Sequence, residues 1–372
     1  MIMLKGYRYR IYPNKSQQEI IQKTFGCCRF VYNKTLEYRI LLYKEHGESM
    51  NKISCGNYVT RVLKKDFPWL LDVDKFALIN SVYNMDNAYN KFFRERAGYP
   101  KFKSKKENKR SYKTNSTNGN ISISFDDNKI KLPKLQWIKA SIHRKFVGSI
   151  KSATVSQLPS GKYFVSLLVE TNQEKIESTG EVVGIDLGIK DLLITSNGDK
   201  FDNPKTIRKY EKKLAKAQHN LSNKIIGSKN YEKQRRKVAV IYEKIHNTRI
   251  DYLHKISRKL VDDNQVIVSE DLAVSNMVKN HKLSKSIYDC SWYELTRQLS
   301  YKSEWNDRRY IKIGRYVASS QICSRCGYIN ADVKNLSIRQ WNCPRCGIQH
   351  DRDINAAKNI LNEGLKILSS SL

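Results

Sequence analysis

The stretch from Cys323 to Ala357 decides how the C-terminal part of the chain folds. It opens with Cys323-Ser324-Arg325-Cys326, continues sixteen residues later with Cys343-Pro344-Arg345-Cys346, and closes with His350-Asp351-Arg352-Asp353-Ile354-Asn355-Ala356-Ala357. Each CxxC turn supplies two thiolates, and Zn2+ binds four such soft ligands in a tetrahedron. The spacing predicts a zinc ribbon with one structural zinc ion, because no ligand position is left open. An iron–sulfur centre or a redox pair is the alternative.

A helix with an acidic first turn is predicted directly behind the ribbon. Its apolar stripe would consist of Ile354, Ala357, Leu361, Leu365 and Leu368. A carboxylate in a first helical turn is stabilised by the helix dipole, so it stays ionised and can bind a metal ion. Asp353 and Asp351 compete for this role. We expect Asp351 to lie nearer the cap and Asp353 to be the ligand.

Two further acids stand in strand-like apolar runs. The run from 182 to 189 contains Asp186, and the run from 265 to 272 ends in Glu270 followed by Asp271. Because side chains alternate along a strand, Glu270 and Asp271 should point to opposite faces.

Three carboxylates on two strands and one helix suit the hydrolysis of a phosphodiester. Two Mg2+ ions about 3.5–4 Å apart activate the water and neutralise charge on the attacking and leaving oxygens. Mg2+ prefers oxygen ligands and keeps several waters, so no histidine is required. The sequence therefore predicts a metal-dependent nuclease in which Asp186 bridges both ions, Glu270 holds one and Asp353 completes the other. Taken singly, each acid has the alternative of merely ending a strand or capping a helix.

The composition supports a nucleic-acid partner. The chain has 372 residues, 40% of them hydrophobic, and a formal net charge of +32. Such an excess of positive charge is normally compensated by a polyanion. No run of 18 apolar residues, lipidation motif or signal-peptide stretch is present in the sequence. We expect two or three domains in a cytoplasmic, nucleoid-associated protein without a membrane partner, in which the remaining cysteines Cys27, Cys28, Cys55 and Cys290 are free thiols.

The N-terminal half predicts a strand, two helices and a small barrel. Residues 4–12 alternate as a strand, and Ser16 with Glu19 reads as the capping box of a helix that continues to about Glu45. A second helix is predicted over 74–96, with one face in the core. Between 120 and 170 the pattern changes to short β runs separated by turns, typical of a small barrel that the first strand would complete. A polar linker over 170–180 then leads into an α/β region.

Two segments are strongly basic. Residues 99–113 contain seven basic residues and one acid, interleaved with aromatics, as expected where a nucleic-acid backbone is gripped. Residues 205–262 read as two long helices broken near Gly227-Ser228, with seventeen Lys or Arg against five Asp or Glu. We interpret this second segment as phosphate-facing, with a solvated charged face as the alternative. The candidate contacts are Lys101, Lys103, Lys105, Lys106, Arg110, Tyr112, Arg235 and Arg236, together with the ribbon's Arg325, Lys334, Arg339 and Arg345.

Several motifs together resemble the TnpB family. They are Tyr9-Arg10-Ile11-Tyr12-Pro13-Asn14, Tyr99-Pro100-Lys101-Phe102-Lys103, Gly184-Ile185-Asp186-Leu187-Gly188, Ser269-Glu270-Asp271-Leu272, Ser319-Ser320-Gln321-x-Cys323-Ser324-x-Cys326-Gly327 and Asp351-Arg352-Asp353-x-Asn355-Ala356-Ala357. Members of this family are transposon-encoded, RNA-guided DNA endonucleases related to the type V CRISPR effectors. The resemblance spans nearly the whole chain.

This resemblance implies a fold of α/β type with β-barrel and helical parts. A RuvC-like nuclease domain of RNase H-like fold would comprise 180–314 and 351–372, interrupted by the zinc ribbon over 315–350. An N-terminal wedge β-barrel would comprise 1–15 and 108–172. The helical recognition domain over 16–107 would be inserted into that barrel.

The resemblance also implies the activity and its site. The chain would be encoded by an insertion sequence, act in transposition and DNA recombination, and cut double-stranded DNA beside a short adjacent motif. Asp186, Glu270 and Asp353 would be the catalytic acids, and Lys75 and Asn80 candidates for reading the motif. The implied cofactors and partners are one structural zinc ion, two catalytic Mg2+ ions, a guide RNA from the transposon end, and target DNA bound by a monomer with one RNA.

Two rival functions remain open at this stage. One is a nuclease-inactive or unguided DNA-binding protein or repressor. The other is a structure-specific RuvC-like nuclease, against which stands the long basic N-terminal half. Base pairing would supply sequence specificity only in the RNA-guided case.

Overall fold

The computed structural model describes residues 2–106, 110–172, 177–315, 317–335 and 337–370. The chain divides into two compact units after Asn172. Part of the predicted basic segment and part of the predicted linker, residues 107–109 and 173–176, lie outside the described residues. Within the described part, no helix is both long and apolar enough to cross a membrane.

The N-terminal unit is built on one seven-stranded sheet. Its strands are β1 (Ile2–Tyr12), β2 (Arg110–Asn115), β3 (Ser122–Ser124), β4 (Lys129–Leu132), β5 (Gln136–Ser141), β6 (Ser149–Gln157) and β7 (Tyr163–Asn172). They lie in the order β2-β6-β7-β1-β5-β4-β3, and every neighbouring pair is antiparallel. The first strand thus sits inside the sheet, between β7 and β5, as a half-barrel requires.

Two of these strands differ from expectation. The alternation pattern did not indicate β4. It did not indicate β2 either, which lies at the end of the basic segment, although the resemblance placed residues 108–172 in the barrel. Charged and polar residues dominate β2, but Tyr112 and Thr114 alternate inwards and are buried. Tyr112 packs edge-on against Phe25 with ring centroids 5.8 Å apart.

Four helices accompany this sheet. They are α1 (Lys15–His46), α2 (Lys52–Tyr58), α3 (Lys64–Asp66) and α4 (Lys75–Glu95), with a π-helical stretch over Val59–Leu63 and a 3-10 turn over Pro68–Asp72. The predicted capping box was wrong: Asn14 caps α1, and the Gln17 side chain accepts the return bond from the Asn14 backbone. The cap therefore lies two residues earlier than predicted. The core face of α4 is confirmed, since Leu78, Val82 and Met85 are fully buried.

The C-terminal unit contains a five-stranded sheet. Its strands are β8 (Val182–Leu187), β9 (Asp191–Thr195), β10 (Lys200–Asp202), β11 (Val266–Glu270) and β12 (Arg309–Ile313). The order is β10-β9-β8-β11-β12, with β8, β11 and β12 parallel and the β8–β9–β10 meander antiparallel. Because β8 and β11 are parallel neighbours, their carboxyl ends lie at the same edge of the sheet. Asp186 and Glu270 stand at those ends.

Helices cover both faces of this sheet. They are α5 (Thr206–Ser222), α6 (Lys229–Asp263), α7 (Val274–Met277), α8 (Ser284–Cys290), α9 (Trp292–Trp305) and α10 (Arg352–Ser370). The predicted pair of basic helices is confirmed as α5 and α6. Leucines of α6 and α9 pack with Ile267 on one face, and Ile360 of α10 packs with Val266 and Val268 on the other.

Helix α10 lies unusually close to the sheet. A Cβ atom on Gly184 would stand 2.1 Å from the Ala357 carbonyl oxygen, and one on Gly364 would stand 2.3 Å from a Val268 methyl. Only glycine fits at these two positions. The contact fixes the height of α10, and with it the first helical turn, above β8 and β11.

The buried face of α10 does not coincide with the apolar stripe that the sequence predicted, but is rotated about the helix axis relative to it. Ala356, Ala357, Ile360 and Gly364 are buried as expected for a core face, but Asn355 and Asn359 are buried as well. The apolar pattern missed these two asparagines because their neighbours are polar backbone groups of the ribbon.

The ribbon between β12 and α10 carries a two-stranded sheet. Strands β13 (Gln340–Asn342) and β14 (Gln349–Asp351) pair antiparallel, with Trp341 opposite His350. A 3-10 turn over Ala331–Lys334 precedes them. Strand β14 runs directly into α10, so the ribbon sets where that helix begins.

Candidate active site

The three predicted catalytic acids lie on the α10 side of the five-stranded sheet. Asp186 is near the end of strand β8, Glu270 ends β11, and Asp353 is in the first turn of α10. Burial and the negative charges of Glu270 and Asp353 raise the pKa of Asp186 to about 7, although Arg352 acts to lower it. The three carboxylates therefore interact electrostatically.

The acids do not form a closed ligand cluster. Among the described residues, the four ribbon cysteines are the only group of three or more potential ligands whose atoms all lie within 4.8 Å of one another. The donor set at the acids nevertheless suits Mg2+, which takes oxygen ligands and keeps part of its water shell. A divalent cation would also offset the repulsion that raises the pKa of Asp186.

Asp353 is held by an arginine of the ribbon. The Nη1 atom of Arg339 lies 3.3 Å from Oδ1 and 3.4 Å from Oδ2 of Asp353. The backbone supports this contact, because the Arg339 carbonyl accepts a hydrogen bond from the Arg352 N–H at 2.9 Å. Our sequence interpretation treated Arg339 only as one of the basic residues of the ribbon. Its partner could not be read from the sequence, since the β13–β14 pairing creates the contact.

Glu270 is oriented by a serine. The Ser319 hydroxyl donates to Glu270 Oε1 at 2.6 Å. The next residue, Asp271, pairs with Arg315, whose Nε and Nη2 both lie 2.7 Å from Asp271 Oδ2. The two neighbouring acids therefore have different partners, as the predicted alternation requires, although both line the same cavity.

Asp351 caps helix α10. Its Oδ1 atom accepts hydrogen bonds from the backbone N–H groups of Asp353 and Ile354, at 3.0 and 3.2 Å, and its Oδ2 atom pairs with Lys200 at 2.8 Å. Burial acts to raise the pKa of Asp351, but the bonds from Lys200 and the helix backbone outweigh it and lower that pKa. Both oxygens of Asp351 therefore have close partners, whereas the contacts of Asp353 with Arg339 are longer, at 3.3 and 3.4 Å.

The four cysteines of the ribbon fit a zinc ion. Cys323 Sγ lies 3.7 Å from Cys346 Sγ, and Cys326 Sγ lies 3.5 Å from Cys343 Sγ. Four sulfurs within 4.8 Å of one another match a tetrahedral four-cysteine site. The imidazole Nε2 of His350 lies 3.0 Å from Cys323 Sγ, so an N–H group there would donate to the thiolate.

A cavity opens beside Glu270. It measures about 370 Å3, and Glu270, Leu272, Trp292, Tyr293 and Lys312 are among its lining residues. Tyr293 is 71% exposed, which is high for a large aromatic side chain. Pockets of this size accept a single nucleotide or a similar ligand.

The N-terminal unit contains a second, basic cavity, which we call the basic groove. It measures about 480 Å3 between α1, α4, β2 and the 103–105 segment. Its cationic lining residues are Lys23, Arg29, Lys103, Lys105, Arg110 and Lys113. No acid is found among its described lining residues. Lys23 pairs with Asp72 and Lys103 lies over the Tyr32 ring, 4.0 Å from its centroid.

The predicted nucleic-acid contacts divide into two groups. Those with exposed side chains are Lys75, Lys101, Lys105, Lys106, Arg110 and Arg236. Lys103 is half-buried beside Tyr32, and Arg235 pairs with Glu232 at 2.8 Å. Sequence reasoning missed Arg29, which shares the groove but stands among apolar neighbours in α1.

Two predicted contacts have structural roles. The Asn80 amide donates to the carbonyls of Phe76 and Lys113 at 2.8 and 3.1 Å, so it joins α4 to β2. Tyr112 is buried beside Phe25, and burial raises its pKa. Both residues therefore have structural partners within this unit, and their contact with nucleic acid stays a prediction.

Family comparisons match three parts of the chain. A family described as "Probable transposase" matches residues 165–281, a "Cas12f1-like, TNB domain" matches 292–360, and a "Helix-turn-helix domain" matches 1–48. In this structure the described part of the last segment consists of β1 and the single helix α1.

The fold is similar to that of a solved nuclease complex. The protein chain in the cryo-EM structure of a Cas12f1–sgRNA–target DNA complex matches with a TM-score of 0.61 and 13% identity, covering 97% of this chain and 99% of that one. At this identity the likeness concerns the fold alone. It confirms the predicted class, a mixed α/β fold with a half-barrel and a ribbon-bearing C-terminal domain.

Two relatives match over nearly their whole length. A Streptomyces pristinaespiralis protein named as an RNA-guided DNA endonuclease is 36% identical, over 97% of this chain and 89% of its own. The Escherichia coli K12 protein InsQ, named in the same way, is 32% identical, over 99% of this chain and 94% of its own. With these relatives and with its own motifs, the chain belongs to the TnpB family.

Proposed function

We propose that this chain is an RNA-guided, Mg2+-dependent DNA endonuclease encoded by an insertion sequence. The observation that carries the proposal is the placement of Asp186, Glu270 and Asp353 near one another: burial, and then the charges of Glu270 and Asp353, raise the pKa of Asp186 to about 7. Carboxylates that are close enough to interact repel one another, and a bound cation or a proton offsets that repulsion. Family membership and the names of both relatives support the same activity.

Each residue has a role in the proposed site. Asp186, Glu270 and Asp353 would hold two Mg2+ ions, which supply an activated water and neutralise the developing charge on the phosphate. Arg339 contacts Asp353, so its guanidinium is placed where it can also pair with a phosphate oxygen. Lys200 and Asp351 keep the first turn of α10 in place. The four-cysteine site would hold one structural zinc ion.

The DNA strand that is cut would enter the cavity beside Glu270. Trp292 and Leu272 give this cavity an apolar wall, and the exposed ring of Tyr293 lies at its surface. Base–aromatic stacking tolerates any sequence because every base has a π face. A single strand can place a base there, whereas a paired base cannot leave its stack without cost.

The basic groove would bind the nucleic-acid backbone. Exposed Lys105 and Arg110, with Arg29, provide cations that no acid of the described lining neutralises. Lys101, Lys106, Lys75 and, on α6, Arg236 extend the candidate interface, while the ion pair of Arg235 makes it a weaker candidate. In this proposal one chain binds one guide RNA from the transposon end, base pairing selects the double-stranded target, and the protein reads a short adjacent motif.

The same proposal divides the chain into four parts. Strands β1 and β2 to β7 support a wedge barrel over 1–15 and 108–172, with the helical part over 16–107 inserted between them. Strands β8 to β12 and α10 support a nuclease domain over 180–314 and 351–372. The cysteine cluster supports a zinc ribbon over 315–350.

One experiment tests guidance and cleavage together. The gene is expressed with its native downstream flank, the protein is purified, and the RNA that accompanies it is sequenced. The complex is then given Mg2+ and a DNA target that matches the RNA beside a library of adjacent motifs. We expect one discrete RNA that extends beyond the element, and double-strand cleavage that is absent in Asp186→Ala.

The rival functions predict different results. A repressor would co-purify with the RNA and bind the target, but it would not cleave the target when Mg2+ is added. A structure-specific nuclease would cut branched DNA without RNA. Random RNA fragments together with no cleavage of a matching target would contradict the proposal. A sedimentation measurement of the purified complex tests whether it contains one chain and one RNA.

A further inference from the structure

The first zinc turn is tied to α10 by two buried asparagines. The Asn359 amide donates to the Ser319 and Ile322 carbonyls at 2.7 and 2.6 Å. The Asn355 amide donates to the Ile322 carbonyl at 2.7 Å, and its oxygen accepts from the Ser324 N–H at 2.9 Å. Both side chains lie on one helical face because they are four residues apart.

The same segment also reaches Glu270. Ser319, whose carbonyl accepts from Asn359, donates its hydroxyl to Glu270 Oε1 at 2.6 Å. Ser319 is 7% exposed, so water competes little for this bond. A continuous set of hydrogen bonds therefore runs from the Cys323–Cys326 turn to an acid on β11 and to the helix that carries Asp353.

We propose that Ser319, Asn355 and Asn359 are positioning residues that make the geometry of Glu270 and Asp353 depend on the folded first zinc turn. We call these three residues the clamp. The effect of the clamp on catalysis rests on the proposed nuclease function. Its effect on structure is independent of that function: loss of zinc should make Glu270 and Asp353, which lie outside the ribbon, less well ordered.

The chemistry of each bond explains the role. The Ser319 hydroxyl occupies one oxygen of Glu270, which fixes the rotation of the carboxylate and leaves the other oxygen for a metal ion. Asn355 is two residues beyond Asp353, so a clamp on Asn355 restrains the same helical turn. Removing an outer partner of a metal-binding carboxylate typically lowers metal affinity 10–100-fold.

The first test measures Mn2+ binding by the full-length, zinc-loaded chain without nucleic acid. We expect Ser319→Ala to bind Mn2+ about tenfold more weakly than the parent, and Ser319→Thr, which keeps the hydroxyl, to restore binding. Ser320→Ala is the matched control, since among the described residues its side chain makes no hydrogen bond to Glu270. Equal affinities for the Ser319→Ala and Ser320→Ala chains would overturn the proposal.

The second test measures hydrogen exchange of backbone amides. Asn359→Leu removes both amide donors at similar volume, and Asn362→Leu on the exposed face of α10 is its control. We expect faster exchange in residues 352–358 and 266–271 of the Asn359→Leu chain, and the same pattern in the parent after zinc is removed with a chelator. Zinc content and the melting temperature show whether each variant is folded.

The two tests separate the possible failures. If the parent binds no Mn2+, the nuclease proposal fails while the exchange data still decide the clamp. If zinc removal speeds exchange only within 317–350, the ribbon folds independently of the acids and the clamp is wrong. In active complexes, Ser319→Ala should raise the Mg2+ concentration needed for half-maximal cleavage more than it lowers the rate at saturating Mg2+.

Discussion

The basic groove of the N-terminal unit and the acidic site of the C-terminal unit concentrate opposite charges by different means. In the groove, Arg29, Lys105 and Arg110 come from a helix, a loop and an edge strand, and their long side chains reach water. In the acidic site, Asp186 is half-buried on a central strand, and burial with two neighbouring charges raises its pKa to about 7. In the groove, water screens the repulsion between the cations. In the acidic site, two strands and a helix hold the carboxylates near one another despite their repulsion.

This difference teaches where each site is vulnerable. Several exposed cations contribute to nucleic-acid binding together. Replacing one of them should therefore reduce the affinity only slightly, and the reduction should depend on salt. The half-buried carboxylates, held by two strands and a helix, would have separate roles, so a single loss should abolish function. The predictions below test this contrast, beginning with the largest expected effect.

Loss of any one acid should abolish cleavage without loss of binding. Replacing Asp186, Glu270 or Asp353 by Ala should lower the cleavage rate by more than about a hundredfold, beyond the effect of losing an outer partner of a ligand. Target affinity should be kept or rise, because a negative charge is removed. Asp262→Ala on α6 is the matched control, since Asp262 pairs with Arg258 and does not line the cavity beside Glu270. Cleavage and filter binding are measured on the same complexes.

Loss of two groove cations should weaken binding in proportion to salt. For Lys105→Ala with Arg110→Ala we expect the salt dependence of affinity to fall by about one unit of log–log slope for each lost phosphate contact. The exposed Lys44→Ala, at the far end of α1, serves as the control. Affinity for guide RNA and target DNA is titrated between low and physiological salt. A slope equal to that of the parent would place the nucleic acid elsewhere.

Replacing the exposed Tyr293 should moderately reduce the affinity for single-stranded nucleic acid. Tyr293→Ala should weaken binding of a single-stranded oligonucleotide by about 1–3 kcal/mol, the usual range for one stacked base. Tyr288→Ala is the control, because Tyr288 is similarly exposed at 60% but does not line the cavity. The fluorescence of 2-aminopurine in the oligonucleotide reports the stacking. Equal effects of the two substitutions would argue against the cavity as a strand site.

Removal of the buried charge should stabilise the chain when no Mg2+ is added. The folded state raises the pKa of Asp186 from 3.8 to about 7, so its ionisation costs stability progressively between those pH values. Asp186→Asn should therefore melt at a higher temperature than the parent at pH 8, by a few degrees, and at nearly the same temperature at pH 4. Thermal melts across this range measure the difference. A gap that is constant with pH would contradict the assignment.

The sequence predicted the parts that depend on spacing and periodicity. Four cysteines in two CxxC turns, the strand runs around Asp186 and Glu270, and the basic helices broken at Gly227-Ser228 are local patterns. The cap of α1 was misassigned to Ser16 because a serine and an asparagine are equally good caps, and only the backbone decides between Ser16 and Asn14.

The contacts that complete the site were beyond sequence reasoning. Ser319 and Glu270 are 49 positions apart, and Arg339 and Asp353 are 14 apart, so only tertiary packing joins them. The structural partner of Asn80 was missed for the same reason, since Lys113 lies on a strand that the charge pattern did not indicate. One signal was available: Asn355 and Asn359 repeat at a helical interval, which predicts a polar face directed at a polar neighbour.

The close seating of α10 on the sheet has a consequence for the order of biosynthesis. The ribosome makes β8 and β11, with Asp186 and Glu270, well before the ribbon and Asp353. The close contacts at Gly184 and Gly364 allow α10 to pack on the sheet at only one distance. Asp353 therefore reaches its position in one late step, when α10 docks. A nascent chain therefore carries only two of the three acids until α10 has been made and has docked on the sheet.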